Sequence, residues 1–202
     1  MLIENIVELP LVPEPNILDW AEIFGNTQPL KVEIGPGRGE FLLQQASQEL
    51  SSNFIGIEIR HKRVERIDAK ITKSNLKNIK LLLGDGRRIL LEAFAPNSIS
   101  TFFIHFPDPW PKKRHAERRI VHEGSIGTFH RCLIPGGRIY LTTDVEPYAE
   151  SMLSLLSGYP GYNLVYAKKD QYDLPYHSTF HETKFKALGR SIHYFCFEKK
   201  IE

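Results

Sequence analysis

The sequence predicts an α/β fold built on a mostly parallel sheet with helices on both faces. Short apolar runs, rich in β-branched and aromatic residues and bounded by Gly, Pro or Asp, recur at similar spacing along the chain. Segments with helical periodicity lie between most of them. This alternation is typical of β-α-β units, whose strands are parallel and whose helices cover the sheet.

Seven runs are expected to form strands. They are residues 30–35, 53–59, 79–84, 98–106, 137–143, 162–167 and 192–197. The last two enclose a polar loop without an obvious helical pattern. We therefore expect them to pair as an antiparallel hairpin that closes the sheet.

Four segments show apolar positions at helical spacing or a helix start signal. They are the segment with Phe41, Leu42, Gln45 and Ala46, the segment with Val64, Ile67 and Ile71, the segment with Ile126, Phe129 and Leu133, and a helix that starts near Pro147 and runs to about Ser157. The third ends at a Pro-Gly-Gly sequence, which predicts a turn from helix to strand. A proline in the first turn is typical of a helix start.

Composition limits the class of protein. A chain of 202 residues is long enough for one domain, which we expect to comprise an N-terminal arm over residues 1–28 and an α/β core over residues 29–202. The net charge of only +2 excludes a whole-molecule polycation, so any affinity for nucleic acid must come from a local patch. Two distant cysteines, no signal peptide and no long apolar stretch predict a cytoplasmic protein without a membrane span.

A glycine-rich turn links the first predicted strand to the first helix. The sequence VEIGPGRGEF over residues 32–41 places Gly35, Gly37 and Gly39 there, where the backbone can approach a ligand closely. The dinucleotide pattern G-x-G-x-x-G is not met, because Glu40 stands where its third glycine would be.

Three carboxylates end successive predicted strands. Glu33, Glu58 and Asp85 should therefore lie at one edge of the sheet, the edge where open α/β folds bind ligands. Each also has a structural interpretation: Glu33 bonded to backbone N–H groups, Glu58 paired with Arg60 or Arg63, and Asp85 in a turn. Together they favour an adenosine ligand that carries a cation, and S-adenosylmethionine fits that description.

The densest functional pattern is FPDPWPKKRHAERRIV over residues 106–121. Asp108 lies between two prolines that stiffen the chain, and Trp110 follows. Between residues 112 and 119, five cations stand against one acid, Glu117, and the cations are Lys112, Lys113, Arg114, Arg118 and Arg119. A solvated loop with a helix-capping Asp is the structural alternative. The stiff P-D-P-W beside these cations favours a site for a polyanion.

These motifs resemble the bacterial tRNA (guanine-N7-)-methyltransferase family. The matching pieces are VEIGPGRGEF, FIGIEI, LLLGDG, FPDPWPKKRHAERRIV, TTDVEPYAE and TKFKALG, which together span about residues 30 to 190. The resemblance implies a Rossmann-like class I methyltransferase fold, a seven-stranded sheet with an antiparallel last strand. It also implies S-adenosylmethionine as methyl donor and guanosine 46 of the tRNA variable loop as acceptor.

The family's site residues carry over by motif. Cofactor contacts fall on Glu33, Gly35, Gly37, Glu58, Asp85 and Asp108, with Asp108 also the catalytic position; tRNA contacts fall on Lys112, Asp144, Thr183, Lys184, Phe185 and Lys186. Lys186 departs from the family, which usually has Glu there, so it favours a phosphate contact over a bond to the guanine edge. Asp144 has an alternative as the N-cap of the following helix.

The chemistry that the resemblance implies needs no general base, because guanine N7 is an unprotonated acceptor. Asp108 would then either stabilise the developing positive charge on the base or accept hydrogen bonds from the guanine edge. The alternatives are a methyltransferase that acts on another RNA or a small molecule, and a non-catalytic RNA-binding module of the same fold. We expect no metal site and no obligatory protein partner, with a monomer or a homodimer as the active form.

Overall fold

The computed structural model describes residues 5–7, 17–170 and 176–201. The other residues of the predicted N-terminal arm, 1–4 and 8–16, lie outside these ranges.

The described strands form one sheet in the order β1-β4-β3-β2-β5-β6-β8-β7. The strands are β1 (Ile6–Val7), β2 (Leu30–Ile34), β3 (Asn53–Glu58), β4 (Ile79–Leu83), β5 (Ile99–His105), β6 (Leu133–Thr143), β7 (Tyr162–Lys169) and β8 (His193–Lys199). The seven predicted strands are confirmed, and so is the antiparallel last strand, because β8 pairs antiparallel with both β6 and β7. The sheet has an eighth strand, since two residues of the arm pair parallel with β4.

Helices occupy the connections. They are α1 (Trp20–Phe24), α2 (Glu40–Gln48), α3 (His61–Ser74), α4 (Gly86–Glu92), α5 (Glu123–Cys132), α6 (Glu146–Ser157) and α7 (Phe180–Ala187), with a 3-10 helix over Lys113–Arg118. All four predicted helices are present. The third ends one residue before Leu133, which already belongs to β6, so the Pro-Gly-Gly sequence lies inside a strand and not in a free turn.

The expectation of a helix-free loop before the last strand was wrong. Helix α7 fills part of it, capped by Thr179, whose side chain accepts a hydrogen bond from the backbone N–H of Glu182. Its buried face is small, because Glu182 is its one buried residue, so no apolar repeat could reveal it.

Helices cover both faces of the sheet, as predicted. On β3, Phe54 packs in a cluster with α2 and α3, whereas its neighbour Ile55 belongs to the cluster of α4, α5 and α6. Adjacent strand residues point to opposite faces, so these two helix groups lie on opposite sides.

Part of the arm region also joins the core. Trp20 on α1 is buried, stacks on Phe94 with ring centroids 5.1 Å apart, and donates from Nε1 to the Ala93 carbonyl at 3.2 Å. Across the described residues, no helix is long and apolar enough to cross a bilayer.

Candidate functional site

A cleft of about 150 Å³ opens at the carboxyl ends of β2 and β5. It brings together four of the predicted site residues, Glu33, Gly35, Gly37 and Asp108. Residues Thr179 to His181, at the start of α7, line the opposite wall. The start of α7 and the ends of the parallel strands therefore line one cleft together.

The glycine-rich turn between β2 and α2 adopts the left-handed backbone that glycine favours. Gly35 has φ +75° and Gly37 has φ +59°, and a Cβ atom at Gly35 would meet no atom within 4 Å. These two glycines therefore leave open space along the cleft. Gly39 is different, because a Cβ there would lie 2.9 Å from Cγ2 of Ile67, so its role is the close packing of α2 against α3.

Glu33 is a buried carboxyl group with an unmet acceptor. Only 3% of the residue is exposed, and Oε2 has no hydrogen-bond partner among the described residues. Burial, with added repulsion from Glu40 and Glu58, raises its pKa to about 8. Bonding to local N–H groups does not account for this oxygen. A cationic N–H donor in the cleft would supply the missing partner, which fits the ammonium of S-adenosylmethionine, and the sulfonium would add electrostatic attraction without a hydrogen bond.

Glu58 ends β3 and is equally buried, at 3% exposure. It accepts a hydrogen bond from the backbone N–H of Arg60 at 3.0 Å and pairs with Nη1 of Arg63 at 3.4 Å. The pairing alternative is thus realised. Two carboxylate oxygens offer about four acceptor positions, so capacity remains for ribose hydroxyls.

Asp85 does not line the cleft. It caps α4 by accepting from the backbone N–H of Arg87 at 3.0 Å, and it pairs with Nη2 of the same residue at 2.5 Å. Its hydrogen bonds with Arg87 lower its pKa. It borders a neighbouring cleft of about 350 Å³ between α4 and α5, so the structural interpretation accounts for its present contacts.

The loop that carries Asp108 is held in an unusual conformation. Phe106 has φ +49° and Trp110 has φ +40°, values that cost non-glycine residues about 1–3 kcal/mol each. Arg119 clamps the loop from Nε to the Pro109 carbonyl at 2.8 Å and from Nη2 to the Trp110 carbonyl at 3.3 Å. The carboxylate of Asp108 stays exposed.

Asp108 is not a helix cap. The N-cap of the 3-10 helix that follows is Lys112, and no side chain caps that helix. The capping part of the structural alternative is therefore wrong, whereas the exposure of Asp108 is also what a solvated loop predicts.

The side chain of Lys113 lies outside the described part of the chain, and the other four loop cations divide into two groups. Arg119 lies over the Tyr148 ring at 4.9 Å and Arg118 over the Trp110 ring at 5.1 Å, so both stabilise the loop. Lys112 and Arg114 are exposed and face solvent. The predicted polyanion patch therefore rests on the exposed Lys112, Arg114 and Arg118 more than on the half-buried Arg119.

Helix α7 places the predicted tRNA motif beside this loop. The Phe185 ring lies 5.3 Å from that of Phe106, and Arg190 stacks over Phe185 at 4.8 Å. Arg190 also pairs with Asp144 at 2.6 Å. The N-cap of α6 is Val145, so the capping alternative for Asp144 was wrong.

Lys186 has a partner inside the protein. Its Nζ lies 2.6 Å from Oε1 of Glu182, a residue that is only 1% exposed and also accepts from the Tyr194 hydroxyl at 2.8 Å. On the same helix, Thr183 and Lys184 are exposed to solvent. The lysine that stands in place of the family's usual Glu thus forms an ion pair with the buried carboxylate of Glu182, one turn earlier on α7.

Several residues that line the cleft were not predicted as site residues, among them His105, Phe106 and His181. His105 and Phe106 precede the Pro-Asp-Pro sequence directly, and His181 lies on α7. His105 is neutral because burial lowers its pKa to about 3, and its Nδ1 lies 3.1 Å from Oγ1 of Thr142. Position at the end of a central strand was the signal for the first two, whereas His181 could not be placed without α7.

Comparisons with known proteins identify the family of this chain. A family described as "Putative methyltransferase" matches residues 27–195. A tRNA (guanine-N(7)-)-methyltransferase of Geobacillus kaustophilus is 36% identical, with 91% of this chain and 86% of that protein covered. The protein of the same name from Pseudomonas putida strain W619 is 35% identical, with 96% and 79% covered.

Solved structures share the fold at low sequence identity. The aminoglycoside resistance methyltransferase NpmB1 has a TM-score of 0.60 at 19% identity and covers 88% of this chain and 91% of its own. A SAM-dependent O-methyltransferase from Thermotoga maritima has a TM-score of 0.58 at 15% identity, with 93% and 68% covered. With a family match over most of its length and relatives above 30% identity, this chain belongs to the bacterial tRNA (guanine-N7-)-methyltransferases, which use S-adenosylmethionine as methyl donor.

Proposed function

We propose that this protein methylates N7 of guanine in tRNA, at guanosine 46 of the variable loop. The observation that carries the proposal is the pairing of two unlike carboxyl groups at one cleft. Glu33 is buried and lacks a partner for one oxygen, whereas Asp108 is exposed on a stiffened loop. The first suits the cationic donor and the second suits an incoming base.

The donor side is assigned to β2, β3 and the glycine-rich turn. S-adenosylmethionine supplies an electrophilic methyl group on a sulfonium. Glu33 would hold its cationic part, Glu58 its ribose hydroxyls, and Gly35 and Gly37 would let it lie close to the backbone. Ile59, directly after Glu58, is 64% exposed and offers an apolar face for a nucleobase. Asp85 would contact the donor only after its ion pair with Arg87 is broken.

The acceptor side is assigned to the loop after β5. Guanine N7 has a free lone pair, so no residue has to remove a proton before transfer. Asp108 would face the base as positive charge develops on it, an interaction worth about 3 kcal/mol in comparable sites. His105 is neutral and adds no opposing positive charge.

Substrate positioning is assigned to both walls of the cleft. Lys112 and Arg114 would contact phosphates, and Thr183 and Lys184 on α7 would contact the backbone on the other wall. Guanosine must leave its stack to present N7, and the Phe106 and Phe185 rings at this wall provide surfaces for the extruded base. Asp144 and Lys186 would act by positioning α7 through Arg190 and Glu182.

Further proposals concern the whole chain. We expect residues 29–202 to act as one catalytic domain in the cytoplasm, preceded by the arm of residues 1–28. We also expect activity without a partner subunit, as a monomer or a homodimer.

Nucleoside analysis tests the function. Unmodified tRNA transcripts would be incubated with the protein and methyl-labelled donor, digested, and separated. We expect 7-methylguanosine, and we expect its loss when guanosine 46 is replaced by adenosine. Label in another nucleoside would contradict the assigned atom, label that survives the replacement would contradict the assigned position, and no label would contradict the substrate class.

A further inference from the structure

A second, larger groove adjoins the cleft on the side of α3. It has a volume of about 840 Å³ and runs between α3, the start of α2 and the start of α7, and we name it the α3–α7 groove. Six cationic side chains line it against one acid, Glu40. The cations are Arg38, Arg60, Arg63, Arg66, Lys70 and Lys184.

Four of these six cations have no carboxylate partner in the described part of the chain. Arg63 pairs with Glu58 and Lys70 with Glu40, while Arg38 lies over the Phe180 ring at 4.7 Å. Arg60, Arg66 and Lys184 are exposed, and none of them makes an ion pair with a described residue. The groove is therefore a concave surface with excess positive charge.

His181 lies at the boundary between the groove and the cleft, near three of these cations. It lies in the groove and the cleft at once, and its pKa is lowered by burial and then by Lys184, Arg63 and Arg38. Three groove cations thus act on one point at the boundary between the two sites.

The cations are spaced along one helix face. Arg63, Arg66 and Lys70 follow each other at intervals of three and four residues, so they share a side of α3. They span about 10 Å along the helix axis, roughly the axial rise of three nucleotides in a duplex strand. A small anion would need one or two of these groups, whereas a row of this length fits a chain of phosphates.

We propose that the α3–α7 groove binds the sugar–phosphate backbone of the RNA substrate on the side of the cleft opposite the Lys112–Arg119 segment. The inference rests on the proposed function, because the base must enter the cleft that both cationic surfaces flank. The groove and the cleft share Gly37, Arg38, Glu40 and Arg63 in their walls, so a strand lying in the groove is continuous with a base in the cleft. Its contacts are with phosphates and carry no base specificity.

The test measures tRNA affinity against salt concentration for full-length variants. Arg66→Gln and the double variant Arg60→Gln, Arg66→Gln remove groove cations that have no ion pair. Lys73→Gln is the matched control, because Lys73 is exposed on the same helix and does not line the groove. Arg66→Gln should lower the slope of log K against log salt by about one and the double variant by about two. At 0.1 M salt the double variant should bind tRNA roughly 10- to 50-fold more weakly.

Two further measurements separate the possible failures. Donor affinity by calorimetry should match the wild type for Arg66→Gln, since Arg66 does not line the cleft and makes no ion pair with Glu58. Slopes and affinities equal to those of Lys73→Gln would overturn the groove proposal, even while wild-type protein still forms 7-methylguanosine. If the wild-type protein forms no 7-methylguanosine, but binds tRNA with a salt dependence that the groove variants lower as predicted, the proposed function alone would be overturned. Absence of any tRNA binding would overturn both.

Discussion

At the scale of single residues, the site depends on two carboxyl groups whose surroundings differ. Glu33 is enclosed and lacks a partner for Oε2, whereas Asp108 is exposed on a loop that Arg119 clamps. The same functional group therefore serves two tasks, because its protonation and its access to solvent are set by the neighbouring chain.

Substitution of Asp108 tests the acceptor side. Asp108→Asn keeps the size of the side chain and removes its charge, so turnover should fall by about 10²–10³ if the carboxylate stabilises positive charge on the base. Donor affinity should stay within a few-fold of wild type. Single-turnover methylation and calorimetry measure the two quantities. Full activity of Asp108→Asn would contradict electrostatic stabilisation, and full activity of Asp108→Ala would contradict any role.

Glu33 predicts a pH dependence of donor binding. Its pKa is about 8 in the folded protein, so the free protein holds a proton there at pH 7, and a bound cation would favour its release. Donor affinity should therefore rise with pH between 6 and 8, by up to about tenfold per pH unit. Calorimetry across this range measures the slope. Glu33→Gln should flatten it, and an unchanged slope in that variant would assign the titration to another group.

The raised pKa of Glu33 also predicts that the stability of the free protein falls as pH rises, whereas donor affinity rises. The folded pKa of Glu33 lies above its ordinary value of 4.5, so its contribution is full below pH 4.5 and is lost as pH rises through about 8. Above that pH, the free energy of unfolding of Glu33→Gln should exceed that of the wild type by a few kcal/mol (about 1.4 for each unit of pKa shift). Urea unfolding at pH 5 and pH 9 would show the difference only at pH 9. A variant that is less stable at both values would contradict the buried-charge account.

At the scale of elements, α7 is the part of the site that the sequence hides. Apolar runs predict the strands, apolar repeats predict α2, α3 and α5, and a proline start signal predicts α6. Strand ends predict Glu33, Glu58 and Asp85, although Asp85 does not line the cleft, and the Pro-Asp-Pro-Trp sequence predicts Asp108. Helix α7 buries only Glu182. Nothing in its periodicity shows that Thr179 caps a helix or that Phe185 reaches Phe106, and the contacts of Asp144 and Lys186 depend on that placement.

Lys186 and Glu182 pair within α7, and Glu182 joins this helix to β8 through the hydroxyl of Tyr194. The carboxylate of Glu182 is buried and bonded to both Lys186 and the hydroxyl of Tyr194. Lys186→Glu restores the residue usual in the family but sets a second acid beside this one. It should destabilise the protein by about 2–4 kcal/mol, because an unpaired buried charge is costly.

The matched control for this prediction is Lys184→Glu, which makes the same charge change on the same helix at an exposed site. Its free energy of unfolding should change by about 0.5 kcal/mol or less. Urea unfolding of both variants gives the comparison. Equal effects would show that the Lys186–Glu182 pair contributes nothing to stability.

At the scale of the whole molecule, a net charge of +2 conceals an ordered distribution. Acidic groups gather at the strand ends that form the cleft. Cationic groups flank it in the segment after β5 and in the α3–α7 groove. The net charge of the whole chain therefore does not indicate the ligands. The local arrangement of charge does, because it predicts a cationic methyl donor in the cleft and a polyanionic substrate on the surfaces that flank it.

The central claim is that the methyl group goes to N7 of guanine, and a transcript with 7-deazaguanosine in place of guanosine tests it most directly. This replacement exchanges the accepting nitrogen for carbon and leaves the phosphate backbone and the pairing edge in place. We predict that the substituted tRNA binds with nearly the same affinity and salt dependence but accepts no methyl group, while the unsubstituted transcript yields 7-methylguanosine. Methylation of the 7-deazaguanosine transcript at the wild-type rate would contradict the claim.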